Sequence, residues 1–115
     1  MIAAFSLQPT GRPSDPALVR TLDDGADGAS VHDAVAAAVR IVRDSGLPTR
    51  TSAMFTEVEG EWDEVMDVVG RATAEAARYG SRVSLVLKAD IRPGHEGEIE
   101  GKVERLEAAV DRLGS

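Results

Sequence analysis

The chain contains no cysteine, and this absence removes several classes of function at once. Disulfides, thiolate metal sites and cysteine nucleophiles are all excluded. Aromatic residues make up only 3% of the sequence, so Val, Leu, Ile and Ala must build the core. No run approaches the roughly 20 apolar residues of a membrane helix, and residues 1–9 lack the basic start of a signal peptide. We therefore expect a cytoplasmic protein.

Basic residues are also scarce, since 13 Lys and Arg stand against 20 Asp and Glu, giving a net charge of −7. Nucleic acids and anionic membranes are bound by clustered cations, so neither is expected as a partner. The length of 115 residues suits one domain with one modest core. We expect residues 1–115 to form that single domain.

The hydrophobic patterns predict the element order β-α-β-β-α-β-α. Strands are expected at Ile2–Gln8, Thr49–Ser52, Phe55–Glu59 and Arg82–Arg92, and helices at Ser30–Ser45, Glu61–Tyr79 and Glu98–Leu113. Pro9 is expected to end the first strand. Ser30 is expected to cap the first helix, with Asp33 reaching back to it. Between the first strand and the first helix, Thr10–Ala29 is predicted to be a long and partly mobile loop.

Four strands and two crossover helices, connected right-handedly, predict the ferredoxin-like βαββαβ sandwich of the α+β class. The antiparallel sheet should have the order 4-1-3-2, with both crossover helices on one face. The C-terminal helix is additional to this fold and is expected to cover a sheet edge or meet a partner. Its predicted buried residues are Ile99, Val103, Leu106, Val110 and Leu113.

Strand alternation predicts which side chains occupy the face of the sheet that the crossover helices leave open. They are Ser6, Gln8, Glu57, Glu59, Ser84, Lys88, Asp90 and Arg92. One interpretation is an ordinary solvated face with cross-strand ion pairs. The other is a ligand site with hydrogen-bonding groups, two glutamates, and Lys88 positioning one of them. Because a flat sheet makes a poor pocket, such a site needs a second subunit or the long loop as cover.

Other candidate chemistry is weaker. Glu61, Asp63 and Glu64 fall in the first turn of a helix, where their negative charges stabilise the helix by interacting with its dipole. Trp62 is expected in the core or in a subunit contact. The two histidines, His32 and His95, lie far apart without neighbouring ligands, so no metal and no cofactor are expected. No nucleotide-binding or nucleophile motif is present, and catalysis therefore has no specific support.

Several segments, taken in order, resemble those of one family. They are Phe5-Ser6-Leu7 with Pro9, Ser45–Pro48, Thr56 with Glu59–Met66 (EGEWDEVM), Arg82–Ser84, Lys88–Arg92 (KADIR) and Glu100–Glu104. On these residues the chain resembles the thiamine-binding protein family, small proteins formerly catalogued as a domain of unknown function. The resemblance covers nearly the whole chain except Thr10–Ala29, and EGEWDEVM is its most specific part.

The resemblance implies a ferredoxin-like fold and subunits joined through their sheets into homodimers or homotetramers. It also implies a non-enzymatic protein that binds thiamine or its hydroxymethylpyrimidine part, whose cationic thiazolium would suit carboxylates. Ser6, Thr56, Glu59 and Asp90 match motif positions of the family, whereas Gln8 and Glu57 are candidates from strand geometry alone. Two other functions stay open: a module whose sheet face serves assembly only, and an enzyme of thiamine metabolism that uses Glu57 or Glu59.

Overall fold

The computed structural model describes residues 1–18, 27–52, 54–93 and 98–114. Four strands and three helices lie wholly within these residues, and residues 16–18 are also helical. The strands are β1 (Ile2–Thr10), β2 (Thr49–Thr51), β3 (Thr56–Glu59) and β4 (Arg82–Asp90), and the helices are α1 (Asp27–Asp44), α2 (Trp62–Ala76) and α3 (Glu98–Gly114). Their order along the chain is the predicted one. Part of the predicted loop, residues 19–26, lies outside the described residues.

The four strands form one antiparallel sheet in the order β2-β3-β1-β4. This is the predicted 4-1-3-2 order, read from the other edge. The central strand β1 pairs with β4 along its whole length and with β3 from Ile2 to Phe5. The fold is therefore the ferredoxin-like α+β sandwich that the sequence predicts.

One face of the sheet packs against α1 and α2 to form an aliphatic core. The sheet contributes Ala3, Phe5, Leu7 and Val58, and the helices contribute Ala38, Val42, Val65, Val68, Val69, Ala72 and Ala76. Phe5 is the one aromatic side chain among them, as the low aromatic content predicts. Because β residues alternate in direction, Ile2, Ala4 and Glu57 point to the opposite face.

Strand β1 continues to Thr10, so the prediction that Pro9 ends it is wrong. Pairing with β3 stops at Phe5, and from there on β1 has a partner strand on one side only, β4. Proline has no N–H to donate, and strands with an unpaired side tolerate it.

The helix boundaries differ from the predicted ones by a few residues. Helix α1 begins at Asp27, which places Ser30 inside the helix, so Ser30 is not its N-cap; serine in a helix costs too little to stop it. Helix α2 begins after Glu61, whose N–H donates a hydrogen bond of 3.2 Å to Glu64 Oε1, as a first-turn carboxylate should. Gly46 has φ 81°, the left-handed conformation expected after a helix.

The C-terminal helix is buried only at its beginning, which corrects the predicted core. Ile99 is 6% exposed, but Leu106, Val110 and Leu113 are 63%, 53% and 88% exposed. The spacing predicts one apolar helix face, but only the first turns of α3 meet the sheet. Trp62 is likewise 54% exposed and lies outside the core, because the inward face of α2 is formed by its valines and alanines.

In the part of the chain that the structure describes, no helix is long and apolar enough to span a membrane.

Candidate functional site

The first turns of α3 lie over one end of the open sheet face and form one wall of a half-open cavity beside it. The cavity has a volume of about 420 Å³, within the range of small-molecule sites. The sheet lines it with Ile2, Ala4, Glu57, Lys88, Ala89 and Asp90, and α3 lines it with Ile99, Lys102 and Val103. Helix α3 thus supplies the cover that a flat sheet lacks. The sequence predicts instead that this helix covers a sheet edge or meets a partner.

Glu57, Ala4 and Lys88 form one row across the sheet, which we call the Ala4 row. Ala4 pairs with Glu57 of β3 on one side and with Lys88 of β4 on the other. Paired Cα atoms of antiparallel strands are about 5 Å apart, so Glu57 and Lys88 are separated by roughly 10 Å. The small methyl group of Ala4 leaves space between an acidic and a basic side chain.

Glu59 and Asp90 flank Ile2 in the neighbouring row. Both carboxylates are engaged with α3. Lys102 forms an ion pair with Asp90, and the backbone N–H of Ile99 lies 3.5 Å from Glu59 Oε1. Glu59 is only 6% exposed beneath the start of this helix. These two residues therefore fasten α3 over the sheet, a role the sequence did not suggest.

The two charged residues of the Ala4 row, Glu57 and Lys88, form no such ion pair with the described residues of α3. Within the described residues, neither Glu57 nor Lys88 takes part in an ion pair. The predicted pairing of Lys88 with a glutamate is thus not formed in this part of the chain. Since Asp90 and Lys102 neutralise each other, Glu57 and Lys88 are the lining charges available to a ligand.

The six candidate residues of the sequence occupy three different places. Glu57 and Asp90 line the cavity, and Glu59 lies beside it under α3. Ser6 and Gln8 are on the same face but in later rows, paired with Val86 and Ser84. Thr56 pairs with Phe5 and is 7% exposed, which places it on the core side of the sheet.

Sequence reasoning missed most of the apolar and helical part of the lining. Alternation in β1 does predict Ala4 on the open face with Ser6, and the same alternation could have added Ile2. Ile99, Lys102 and Val103 could not have been found, since the amphipathic pattern of α3 predicts a buried face without saying what it packs against. Among the described residues, no cluster of three or more His, Asp or Glu is placed to hold a metal ion.

Comparison with known proteins identifies the family. A family model described as thiamine-binding protein matches residues 19–107, most of the chain. The chain belongs to the thiamine-binding protein family. The sequence resemblance is thereby confirmed.

Relatives and solved structures agree with this membership. The UPF0045 protein Mb1933 of Mycobacterium bovis is 49% identical over 81 residues, covering 70% of this thiamine-binding family member and 79% of the relative. A domain of unknown function, DUF77, from Bacillus cereus has a similar structure with a TM-score of 0.68 and 29% identity, covering 89% and 85% of the two chains. Protein MJ1052 of Methanocaldococcus jannaschii has a TM-score of 0.70 and 25% identity, covering 92% and 94%.

Proposed function

We propose that this member of the thiamine-binding protein family binds thiamine, or its hydroxymethylpyrimidine part, in the cavity between the sheet and α3. The observation that carries the proposal is the cavity of about 420 Å³ with Glu57 in its wall, in a chain of this family. Pockets of this size bind small organic molecules, and a few polar groups among apolar ones fix their orientation.

The lining suits the two chemical features of thiamine. A permanent thiazolium cation is favoured near a carboxylate that no described residue neutralises, which is Glu57. The aminopyrimidine carries donors and acceptors, and a carboxylate can accept a hydrogen bond from its amino group. Ile2, Ile99 and Val103 offer apolar surface to the flat rings. Both features thus find a counterpart in one cavity.

We further propose that binding occurs without catalysis. Two carboxylates line the cavity, as acid–base chemistry could require, but Asp90 is held in an ion pair by Lys102. Glu59 is buried against the start of α3. The enzyme hypothesis needs Glu57 or Glu59 to transfer protons, and only Glu57 faces the cavity. A cytoplasmic location remains a prediction.

Assembly into homodimers or homotetramers is part of the same proposal. Beyond the cavity the sheet face is uncovered, and Val86, paired with Ser6 at its centre, is 55% exposed. The apolar residues Leu106, Val110 and Leu113 of α3 are also exposed. Exposed apolar surface of this kind favours contact between subunits, which supports sheet-mediated association without identifying its stoichiometry.

Isothermal titration calorimetry of the full chain with thiamine and with hydroxymethylpyrimidine tests the proposal. Saturable binding tighter than about 1 mM is expected, weakened by Glu57→Gln and unchanged by Glu107→Gln, which alters an exposed glutamate of α3 outside the cavity. Affinity weaker than about 1 mM, or about −4 kcal/mol, would contradict ligand binding and leave the assembly module. Turnover of a thiamine-pathway intermediate that Glu57→Gln abolishes would favour the enzyme instead.

A further inference from the structure

We infer that the cavity selects a ligand that carries both a cationic ring system, which lies at Glu57, and a phosphate ester, which lies at Lys88. The inference rests on the proposed function and specifies which chemical form of the ligand the same cavity takes. It follows from the Ala4 row, in which the two side chains stand on opposite sides of a small residue.

The charge balance of the lining argues against a ligand that is only cationic. Two carboxylates, Glu57 and Asp90, are matched by two ammonium groups, Lys88 and Lys102. A purely cationic ligand would be attracted by Glu57 and repelled by Lys88 at once. A ligand whose other end is anionic turns that repulsion into attraction.

Lys88 is the ammonium group that can reach such an anion. Lys102 is already paired with Asp90, whereas Lys88 has no ion-pair partner in the described ranges. Its side chain is exposed and flexible, and lysine is a common phosphate ligand. Arg50 is the neighbour of Glu57 on β2, but it does not line the cavity.

The geometry also fits an elongated ligand. The Cα atoms of Glu57 and Lys88 are roughly 10 Å apart across β1, which leaves room for a ring system between their charged groups. Between them Ala4 and the apolar residues of α3 provide a surface for rings. A two-ring cation whose hydroxyethyl arm is esterified with phosphate carries its charges at separated points, as this row requires.

Calorimetric titration with thiamine and thiamine monophosphate, on three proteins, tests the inference. The wild type should bind the monophosphate about 10- to 100-fold more tightly than thiamine, the usual worth of a hydrogen bond to a charged group. Lys88→Met should abolish that preference, and thiamine affinity should not fall, because the substitution also removes the repulsion of the thiazolium by the ammonium group. Arg82→Met is the matched control, since it removes one positive charge from the same face of β4 roughly 20 Å away, and it should keep the preference.

The outcomes separate the inference from the proposed function. Equal affinity for both ligands in the wild type, or a preference that survives Lys88→Met, overturns the inference and leaves thiamine binding intact. Parallel loss of both ligands in a Lys88→Met protein with the wild-type melting temperature also overturns it. Absence of binding to either ligand overturns the proposed function, and the inference with it.

Discussion

Lys102, in the second turn of α3, forms an ion pair with Asp90 at the end of β4. This contact joins the C-terminal helix to the sheet at the edge of the cavity. Together with the burial of Ile99 it helps to hold the helix over the sheet, where the flat face acquires a pocket.

Asp90→Asn should loosen α3 without unfolding the domain. The two side chains are 43% and 44% exposed, so the loss in the free energy of unfolding should stay below about 1 kcal/mol. Hydrogen exchange measured by mass spectrometry should accelerate in residues 102–106 and remain unchanged in α2. Asp67→Asn, which breaks the exposed pair with Arg71 in α2, is the control. Unaltered exchange in α3 would show that the ion pair does not hold the helix.

Ala4→Leu should fill the cavity and block the ligand. The added side chain would stand between Glu57 and Lys88, and we expect thiamine affinity to fall by more than about tenfold. Gln8→Leu places the same side chain on the same face of β1 outside the lining and should bind normally. Wild-type affinity in a folded Ala4→Leu protein would exclude this cavity as the site.

Asp15→Asn should make the free energy of unfolding less sensitive to a fall in pH into the acid range. Arg78 donates to Asp15 Oδ2 through Nε at 2.9 Å and Nη2 at 2.6 Å, and these bonds hold the pKa of Asp15 below its ordinary value of 3.8. Because its pKa is lower in the folded state, ionised Asp15 stabilises the protein fully at pH values above its ordinary pKa of 3.8. That stabilisation is lost as the pH falls through the folded-state pKa.

Urea denaturation across this pH range measures the effect. The wild type should exceed Asp15→Asn in stability at pH 7, and the difference should shrink as the pH drops below 3.8. Asp44→Asn, which removes a largely exposed pair with Arg40, should show little difference at neutral pH. A gap that persists undiminished in acid would mean that the Asp15 charge is not its cause.

Val86→Glu should reduce the molecular mass in solution if the open sheet face joins subunits. A carboxylate at the centre of that face would be buried without a partner in the assembly, at considerable cost. Light scattering should show a dimer or tetramer for the wild type and for Ala74→Glu, a change on the exposed side of α2. A monomeric wild type at high concentration would refute the assembly proposal.

Much of this arrangement was predictable from local sequence patterns. The strand order follows from the element order and crossover handedness, and alternation correctly placed Glu57, Lys88 and Asp90 on one face. The same alternation puts Thr56 opposite Phe5 in the core, although the family motif made it a candidate ligand. A match to a family motif shows that a residue occupies a motif position. The face of the sheet to which its side chain points depends on the alternation along the strand.

The position of α3 was not predictable. Its stripe from Ile99 to Leu113 has one period and one face, yet the structure buries Ile99, half-buries Val103 and exposes the later apolar residues. An amphipathic pattern predicts that the apolar face of a helix is buried. Which surface buries it depends on contacts between residues distant in sequence, such as Lys102 and Asp90. Those contacts cannot be seen in a local pattern.

An NMR titration of the full chain with thiamine tests the central claim most directly, because it locates the ligand. Saturable amide shifts should concentrate at Ile2–Ala4, Glu57, Lys88 and residues 99–103, and remain small in α2. Shifts confined to other surfaces, or no shifts at millimolar thiamine, would contradict a ligand site between the sheet and α3.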